Sequence, residues 1–333
     1  MLVLGIETSC DDTSVALLED GRRILANRTA SQVDLHALTG GVVPEVAARH
    51  HVEQIIALVE YVVRECALRL HQIDLIAVTN RPGLVGSLMV GVSAAKALGW
   101  MIQRPVIPVH HLMGHMAAAR LADSSLEYPY ICLVVSGGHT ELHHVMSPVH
   151  GHVLGRTRDD AAGEAFDKAA RMLGLGYPGG PLIDRAARDG RANAFTLPRA
   201  WLEEGSLDFS FSGVKTALWR RLQSGEPVTV ADAAAVFQEA IVDVLSIRLL
   251  DASERSGVPR VAICGGVAAN SALKARIQEM ATARGVHAVA PPLSLCTDNA
   301  AMIAAAGWEQ YQAGAVGSLS FDVIASEALS WSG

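Results

Sequence analysis

The sequence predicts an α/β protein of two lobes with a cleft between them, and three observations carry that prediction. Short apolar runs with strand character precede helical patterns along most of the chain, the order of an α/β architecture with mostly buried sheets. A strand, polar turn, strand plan opens the chain and recurs further on, and a strand, glycine turn, helix plan also occurs twice, which reads as weak internal duplication with a long offset. The 333 residues, 50% of them apolar, suffice for one large or two medium domains with a sizeable core.

Each element has a local reason. Leu2 to Ile6, polar Glu7 to Asp12 and then Ser14 to Leu18 read as two strands joined by a polar turn. The same plan returns at Ile131 to Val135, a Ser136-Gly137-Gly138-His139 turn and a run from Thr140 to Val145. Leu75 to Val78 leads into Pro82-Gly83 and a helix, much as Val261 to Cys264 leads into Gly265-Gly266 and a helix from Asn270. Val52, Ile55, Ile56, Val59, Val62, Val63 and Cys66 follow a 3.6-residue period, so an amphipathic helix is expected to pack on a sheet there. Further helices are expected near Ser87 to Met101, Gly163 to Leu173, Ala231 to Leu250, Ser271 to Arg284 and Asn299 to Gln312. The stretch from about Gly174 to Pro227 breaks the pattern with Pro178-Gly179-Gly180-Pro181 and many arginines, and reads as an insertion on the second lobe.

Acidic residues outnumber Lys plus Arg by 34 to 27, so a nucleic-acid partner needs a local basic surface. The insertion, with Arg185, Arg188, Arg191, Arg199, Lys215, Arg220 and Arg221, is the surface expected to face RNA, the plainer reading being a solvated face. Five scattered cysteines without a C-x-x-C fit a reducing cytoplasm and neither a disulfide framework nor a thiolate zinc site. The amino terminus reads as a first strand and not a signal peptide. No apolar stretch is expected to be long enough to span a bilayer, so a soluble protein without a membrane partner is expected.

The most informative local feature is His111 and His115, set at i and i+4, where two imidazoles share one helical face and can hold one metal ion. Two ligands are too few, and Asp298 is the third candidate, with Thr297 capping a helix and the carboxylate at its first turn. His110 is placed to orient the site or cap the helix. An isolated H-x-x-x-H is also the pattern of ordinary surface or core histidines. No H-E-x-x-H exists, because Leu112 follows His111, and Gly213-Val214-Lys215-Thr216 lacks P-loop spacing. The glycine turns at Ser136 to His139, Gly179-Gly180 and Gly265-Gly266 let backbone N–H groups approach a phosphate, and Asn270 stands where a loop enters a helix. Asp159, Asp160, Glu164, Asp167 and Lys168 crowd a helix start, and Asp11 and Asp12 lie in a strand-to-strand turn.

Taken together, Gly5-Ile6-Glu7-Thr8-Ser9-Cys10-Asp11, Gly40-Gly41-Val42-Val43-Pro44-Glu45, His110-His111 with Gly114-His115, Val135 to Thr140, Asp159 to Lys168, Tyr177 to Pro181, Asp208 to Gly213, Gly265 to Asn270 and Cys296 to Asn299 resemble the tRNA N6-adenosine threonylcarbamoyltransferase family, formerly described as glycoprotein endopeptidases. The match runs in order over about residues 1 to 312. The resemblance implies the actin-like, sugar-kinase-like superfamily fold of two RNase-H-like lobes, here expected at 1–118 with 300–333 and at 119–299. It implies transfer of threonylcarbamoyl from threonylcarbamoyl-AMP to N6 of the adenosine 3′ of the anticodon in tRNAs reading codons that begin with A. It places His111, His115 and Asp298 on the ligands of one metal ion, iron favoured and zinc the alternative. It places Val135, Ser136, Gly137, Gly138, His139, Asp167, Gly180, Asp184 and Asn270 on the adenylate-binding segments, and Asp11 is the candidate for positioning or accepting a proton. The implied partners are tRNA, a smaller paralogous subunit and a small ATPase. Three departures stand out: Met113 where a Glu is frequent, Asn80-Arg81 where a Gly precedes Pro82, and a tail from Asp322 without the family's Arg-Pro pattern. The altered loop and tail prompt a non-catalytic nucleotide-binding scaffold as the alternative, and H-x-x-x-H alone prompts a metallopeptidase that lacks its general base.

Overall fold

The first apolar run becomes the central strand of a five-stranded sheet. In a computed structural model the elements are, in chain order, β1 (Leu2–Glu7), β2 (Asp12–Glu19), β3 (Arg23–Ser31), α1 (Val33–Ala37), α2 (Pro44–Glu65), β4 (Leu75–Arg81), α3 (Val85–Ile102), β5 (Val106–His110), α4 (His111–Ala122), β6 (Tyr130–Val135), β7 (Thr140–Val145), β8 (Gly151–Arg156), α5 (Ala162–Met172), α6 (Gly179–Ala187), α7 (Ser212–Gln223), α8 (Val230–Ser256), β9 (Arg260–Cys264), α9 (Ser271–Ala283), β10 (His287–Val289), α10 (Leu293–Cys296) and α11 (Ala300–Gln312). The structure describes residues 1–37, 41–199, 203, 205–317 and 319–331. Gly40, residues 200–202 and 204 of the expected insertion, and Ser332 and Gly333 of the tail lie outside the described residues.

The chain divides into two units, Met1–Ser124 with Pro148–His150 and Thr297–Gly333, and Ser125–Ser147 with Gly151–Cys296. Beside the expected boundaries at 118 and 300, residues 297–299 group with the first unit, so Asp298 shares a unit with His111 and His115. Each unit holds one sheet, ordered β3-β2-β1-β4-β5 in the first and β10-β9-β6-β7-β8 in the second. In both, the first three strands are antiparallel neighbours and the next two add in parallel on the other side of the first, so the duplication seen in sequence is a duplication of topology.

β1, β4, β6 and β9 are internal strands covered on both faces, so they read as unbroken apolar runs. β3 and β8 are edge strands with mixed burial, which hides them from a search for apolar runs. α2 begins earlier than its apolar period, with Pro44 in its first turn, and buries Ala47, His51, Ile55, Val59, Val62 and Val63. Val52 and Ile56, expected on that face, are 62% and 52% exposed. α3 corrects the expectation that no stretch could span a bilayer, since its 18 residues reach a mean hydropathy of 1.5. Its Leu88, Val92, Ala95 and Leu98 are buried against the first unit's core, and its one charge, Lys96, is taken up by the carbonyl and ring of Phe321. The second unit's core centres on α8, where Phe237 meets Phe166 edge to face at 5.8 Å.

α11 lies close on its sheet and on α4. A Cβ at Gly5 of β1 would come within 2.2 Å of Ala300 O, and one at Gly114 of α4 within 2.6 Å of Ile303 Cδ1. Glycine at those two positions lets β1, α4 and α11 converge.

Candidate active site

Strand β5 passes directly into α4, and the junction carries the histidines. His110 caps the helix, its Nδ1 accepting from Leu112 N at 3.2 Å, so His111 and His115 project from successive turns. Their rings meet edge to face with centroids 4.7 Å apart. Asp298 arrives from the loop before α11. The cap there is Asn299, whose Oδ1 accepts from Met302 N at 3.0 Å, and Ala300 N donates to Ser14 Oγ at 2.9 Å. Asp298 therefore precedes the helix, which corrects the expected Thr297 cap.

The Nε2 atoms of His111 and His115 lie 3.4 and 3.3 Å from Asp298 Oδ1. His115 is fully buried, and among the described residues its nitrogens find no well-aligned hydrogen-bond partner, the Asp298 carboxylate being its one close polar neighbour by distance. Ligands at about 2.0–2.2 Å from a first-row metal stand roughly 3–3.5 Å from one another; the two histidine–aspartate separations match that span, and all three donor atoms lie within 4.8 Å of one another, a cluster able to hold one ion. Two imidazoles and one carboxylate leave coordination positions open.

Glu7 stands behind this triad. Its Oε2 is 3.2 Å from His111 Nδ1, Ser9 Oγ is 3.2 Å from the same nitrogen, and Ser9 N and Thr79 Oγ1 both donate to the carboxylate. A carboxylate on the far nitrogen fixes the ring's tautomer and orientation. Burial would push His111 down, but Asp298 and Glu7 hold it well above its ordinary range. Burial raises Glu7 and Asp298 as well, and His111 more than offsets it, leaving both carboxyls low. Burial dominates at His115, which titrates below the usual histidine range and keeps its lone pair. Asp11 stands outside this cluster, half-buried in the β1–β2 turn beside Cys10, whose thiol is pushed up by burial and by the Asp11 charge.

The expected adenylate segments are all in the second unit, strung along α5 and α6. The Ser136–His139 turn closes with Ser136 N donating to His139 O at 2.8 Å, and it rests on the start of α5, where Gly163 N donates to Ser136 O at 3.1 Å. A Cβ on Gly163 would strike that turn at 2.5 Å, whereas one on Gly137, Gly138 or Gly180 would meet nothing within 4 Å. Packing therefore demands the first glycine, and open space for an approaching ligand is what the other three offer. Asp167 accepts from Gly179 N at 2.7 Å, and its carboxyl is raised by burial against that bond. Asp184 accepts from Ser271 Oγ at 2.7 Å, tying α6 to the loop of Asn270. Asn270 caps α9 through Leu273 N at 3.0 Å, and its Nδ2 donates to Gln238 Oε1 at 2.7 Å.

The acidic cluster and the basic insertion are largely taken up in contacts within the second unit, joined to each other by Lys215 and Asp160. Asp159 accepts from Ser210 Oγ, Phe211 N and both the N and Oγ of Ser212, anchoring the start of α7, and Asp160 lies between Lys168 and Lys215. Arg188, Arg191, Arg199 and Arg221 pair with Asp184, Asp232, Asp243 and Glu226. Most of the surface expected to face RNA is thus charge-compensated, with Arg185 and Arg220 exposed.

A family model described as TsaD, tRNA N6-adenosine threonylcarbamoyltransferase, matches residues 23–305. The tRNA N6-adenosine threonylcarbamoyltransferase of Dehalococcoides mccartyi is 50% identical over 326 residues, covering 97% of this chain and 98% of that protein. The Bacillus subtilis protein of the same name is 50% identical over 319 residues, covering 94% and 92%. This chain belongs to the tRNA N6-adenosine threonylcarbamoyltransferase family. Among solved structures, component A of the Acidaminococcus fermentans (R)-2-hydroxyglutaryl-CoA dehydratase matches at TM-score 0.56 and 15% identity, covering 94% of this chain and 98% of that one. Full-length HypF matches at TM-score 0.63 and 12% identity, covering 94% of this chain and 46% of its own. At these identities the likeness is one of fold, the α/β type with two RNase-H-like lobes. Within this family member, residue reasoning missed Glu7, Ser9 and Gln238. The signal for Glu7 was present as an acid ending an otherwise apolar strand, and for Gln238 as an amide within the apolar run of α8. Met113 receives Gln310 Nε2 at 3.5 Å, and it is Glu7 that supplies the carboxylate behind His111.

Proposed function

We propose that this chain transfers the threonylcarbamoyl group of threonylcarbamoyl-AMP to N6 of the adenosine 3′ of the anticodon in tRNAs that read codons beginning with A, releasing AMP. The observation that carries this reading is family membership over nearly the whole chain, supported by three donors converging in the first unit. An exocyclic adenine amine is a weak nucleophile because its lone pair is delocalised into the ring, so the protein must align it and favour charge on the leaving group. Val135, Ser136, Gly137, Gly138, His139, Asp167, Gly180, Asp184 and Asn270 are assigned to hold the adenylate. His111, His115 and Asp298 are assigned to one metal ion, iron favoured over zinc because two imidazoles and a carboxylate with open positions suit ferrous iron. Such an ion polarises substrate oxygen and offsets developing negative charge. Glu7 keeps His111 aimed at it.

As the N6–carbon bond forms, the bond from that carbon to the phosphate oxygen breaks and N6 loses a proton. Asp11 is assigned to position or accept that proton. Asp11→Asn is expected to slow single-turnover transfer by roughly 10²-fold with metal content unchanged, and full activity would remove the role. Because the acyl group arrives activated, this subunit needs no ATP hydrolysis for the transfer. A smaller paralogous subunit and a small ATPase are assigned as partners beside tRNA, and the five free thiols favour a cytoplasmic setting. The scaffold alternative was prompted by the altered loop and tail, yet Arg81 and Glu327 pair with each other.

The test is reaction of the purified protein, with its partner subunits, on threonylcarbamoyl-AMP and tRNA, followed by nucleoside digestion and elemental analysis. N6-threonylcarbamoyladenosine is the expected product, and its absence would reject the reading.

A further inference from the structure

The end of β4 and the carboxyl-terminal tail meet in the first unit. β4 ends in Asn80 and Arg81, and the tail from Phe321 to Glu327 lies against it. Asn80 Nδ2 donates to Asp322 O at 2.9 Å, Ile324 N donates to Asn80 O at 3.0 Å, and Gly83 N donates to Ala325 O at 3.0 Å. Arg81 pairs with the Glu327 carboxylate through Nε, and Lys96 holds Phe321 by its carbonyl and its ring. The loop arginine is thus matched by an acid in the tail.

The tail reaches the ligand helix by two routes. His110 Nε2 lies 3.3 Å from Glu327 O while its Nδ1 accepts from Leu112 N, so one ring bridges the tail and the first turn of α4. With Nδ1 as acceptor, Nε2 carries the hydrogen and donates to the carbonyl. The second route runs through the loop after β4. Leu84 N donates to Ser9 O at 2.8 Å, a Cβ on Gly83 would stand 2.5 Å from that oxygen, and Ser9 Oγ lies 3.2 Å from His111 Nδ1.

We propose that residues 321–327 form a strap, latched by Arg81 and Glu327, that positions His110 and Ser9 and through them the His111 ring, so that metal retention depends on the latch. The proposal rests on reading His111, His115 and Asp298 as metal ligands. The latch side chains are 28% and 37% exposed, and a pair so placed adds little as an ion pair alone. Its effect comes from ordering the tail, whose backbone carbonyls make the contacts with His110 and Gly83.

The test compares the full-length protein with Glu327→Ala and with the exchanged pair Arg81→Glu/Glu327→Arg. Cobalt(II) is the probe, read by its visible absorption during competition with a chelator. Glu327→Ala is expected to weaken cobalt retention by about fivefold, and the exchanged pair to return it to within about twofold of the parent. Hydrogen exchange of the metal-free proteins is expected to show faster exchange at Leu112 and Gly83 in Glu327→Ala, restored in the exchanged pair. Unchanged retention and unchanged exchange in Glu327→Ala would overturn the strap, as would failure of the exchanged pair to restore either. If the parent protein takes up no cobalt, the ligand reading fails, and hydrogen exchange alone then decides whether the tail positions the helix.

Discussion

The donor cluster of the first unit and the glycine-lined segments of the second are built from opposite materials. The cluster is made of side chains in which burial and charge compete, with His111 held high by Asp298 and Glu7 and His115 held low by burial. The second-unit segments are mostly backbone, where Gly137, Gly138 and Gly180 leave open space and Asp167, Asp184 and Asn270 bond to protein donors. Protons and neighbouring charges should therefore govern the first region, and added volume the second.

The largest separation is expected from Asp298→Ala, which removes the carboxylate on which both imidazoles converge. Metal content should fall by about a hundredfold, while adenylate binding followed by calorimetry stays within about twofold. Parallel loss of both would break the comparison. Gly180→Val is the converse, since a Cβ there meets nothing within 4 Å. It is expected to weaken adenylate binding by about tenfold or more, leaving metal content alone and Tm within a few degrees. Gly179→Ala sharpens the contrast one residue away, because its Cβ would lie 2.5 Å from Asp167 Cα, and it should cost about 1–3 kcal/mol of stability in urea melts.

A smaller effect separates the first region's own charges. Glu7→Gln should weaken metal binding by about tenfold. His111 is raised in the metal-free protein, so an ion must displace its proton, and affinity should fall as pH drops below that raised value. Removing the Glu7 charge lowers His111, so the midpoint of this loss should move to lower pH in Glu7→Gln, measured as proton release on metal addition. An unmoved midpoint would detach Glu7 from the site.

The smallest effect concerns Asp12, pushed up to about 7 by burial and by the charges of Asp298 and Asp11, with Oδ1 buried and unbonded. The folded state then holds more protons than the unfolded one between roughly pH 4 and 7, so stability declines as pH rises through that window. In the metal-free protein Asp12→Asn should add about 1–2 kcal/mol at alkaline pH and little in acid. An equal gain at both would exclude titration as the cause.

The strands legible in sequence, β1, β2, β4, β6, β7 and β9 among them, are those with buried faces, because water exclusion writes itself as apolar runs. β3 and β8 were not, since edge strands keep polar residues toward solvent. The histidine pair was legible because helical spacing alone puts His111 and His115 on one face. The cap beside Asp298 was not legible, because Thr297 and Asn299 both suit a helix start and the choice of Asn299 goes with Ala300 N donating to Ser14 Oγ of the remote strand β2.

By itself the sequence determined the repeated strand and helix order, the family and the donor types, because these depend on local periodicity and residue chemistry. Only the tertiary structure decided that Glu7 backs His111, 104 residues away, and that the acids and arginines of the second unit bind one another. Pairing and burial are fixed by distances between remote segments, and no local pattern carries a distance.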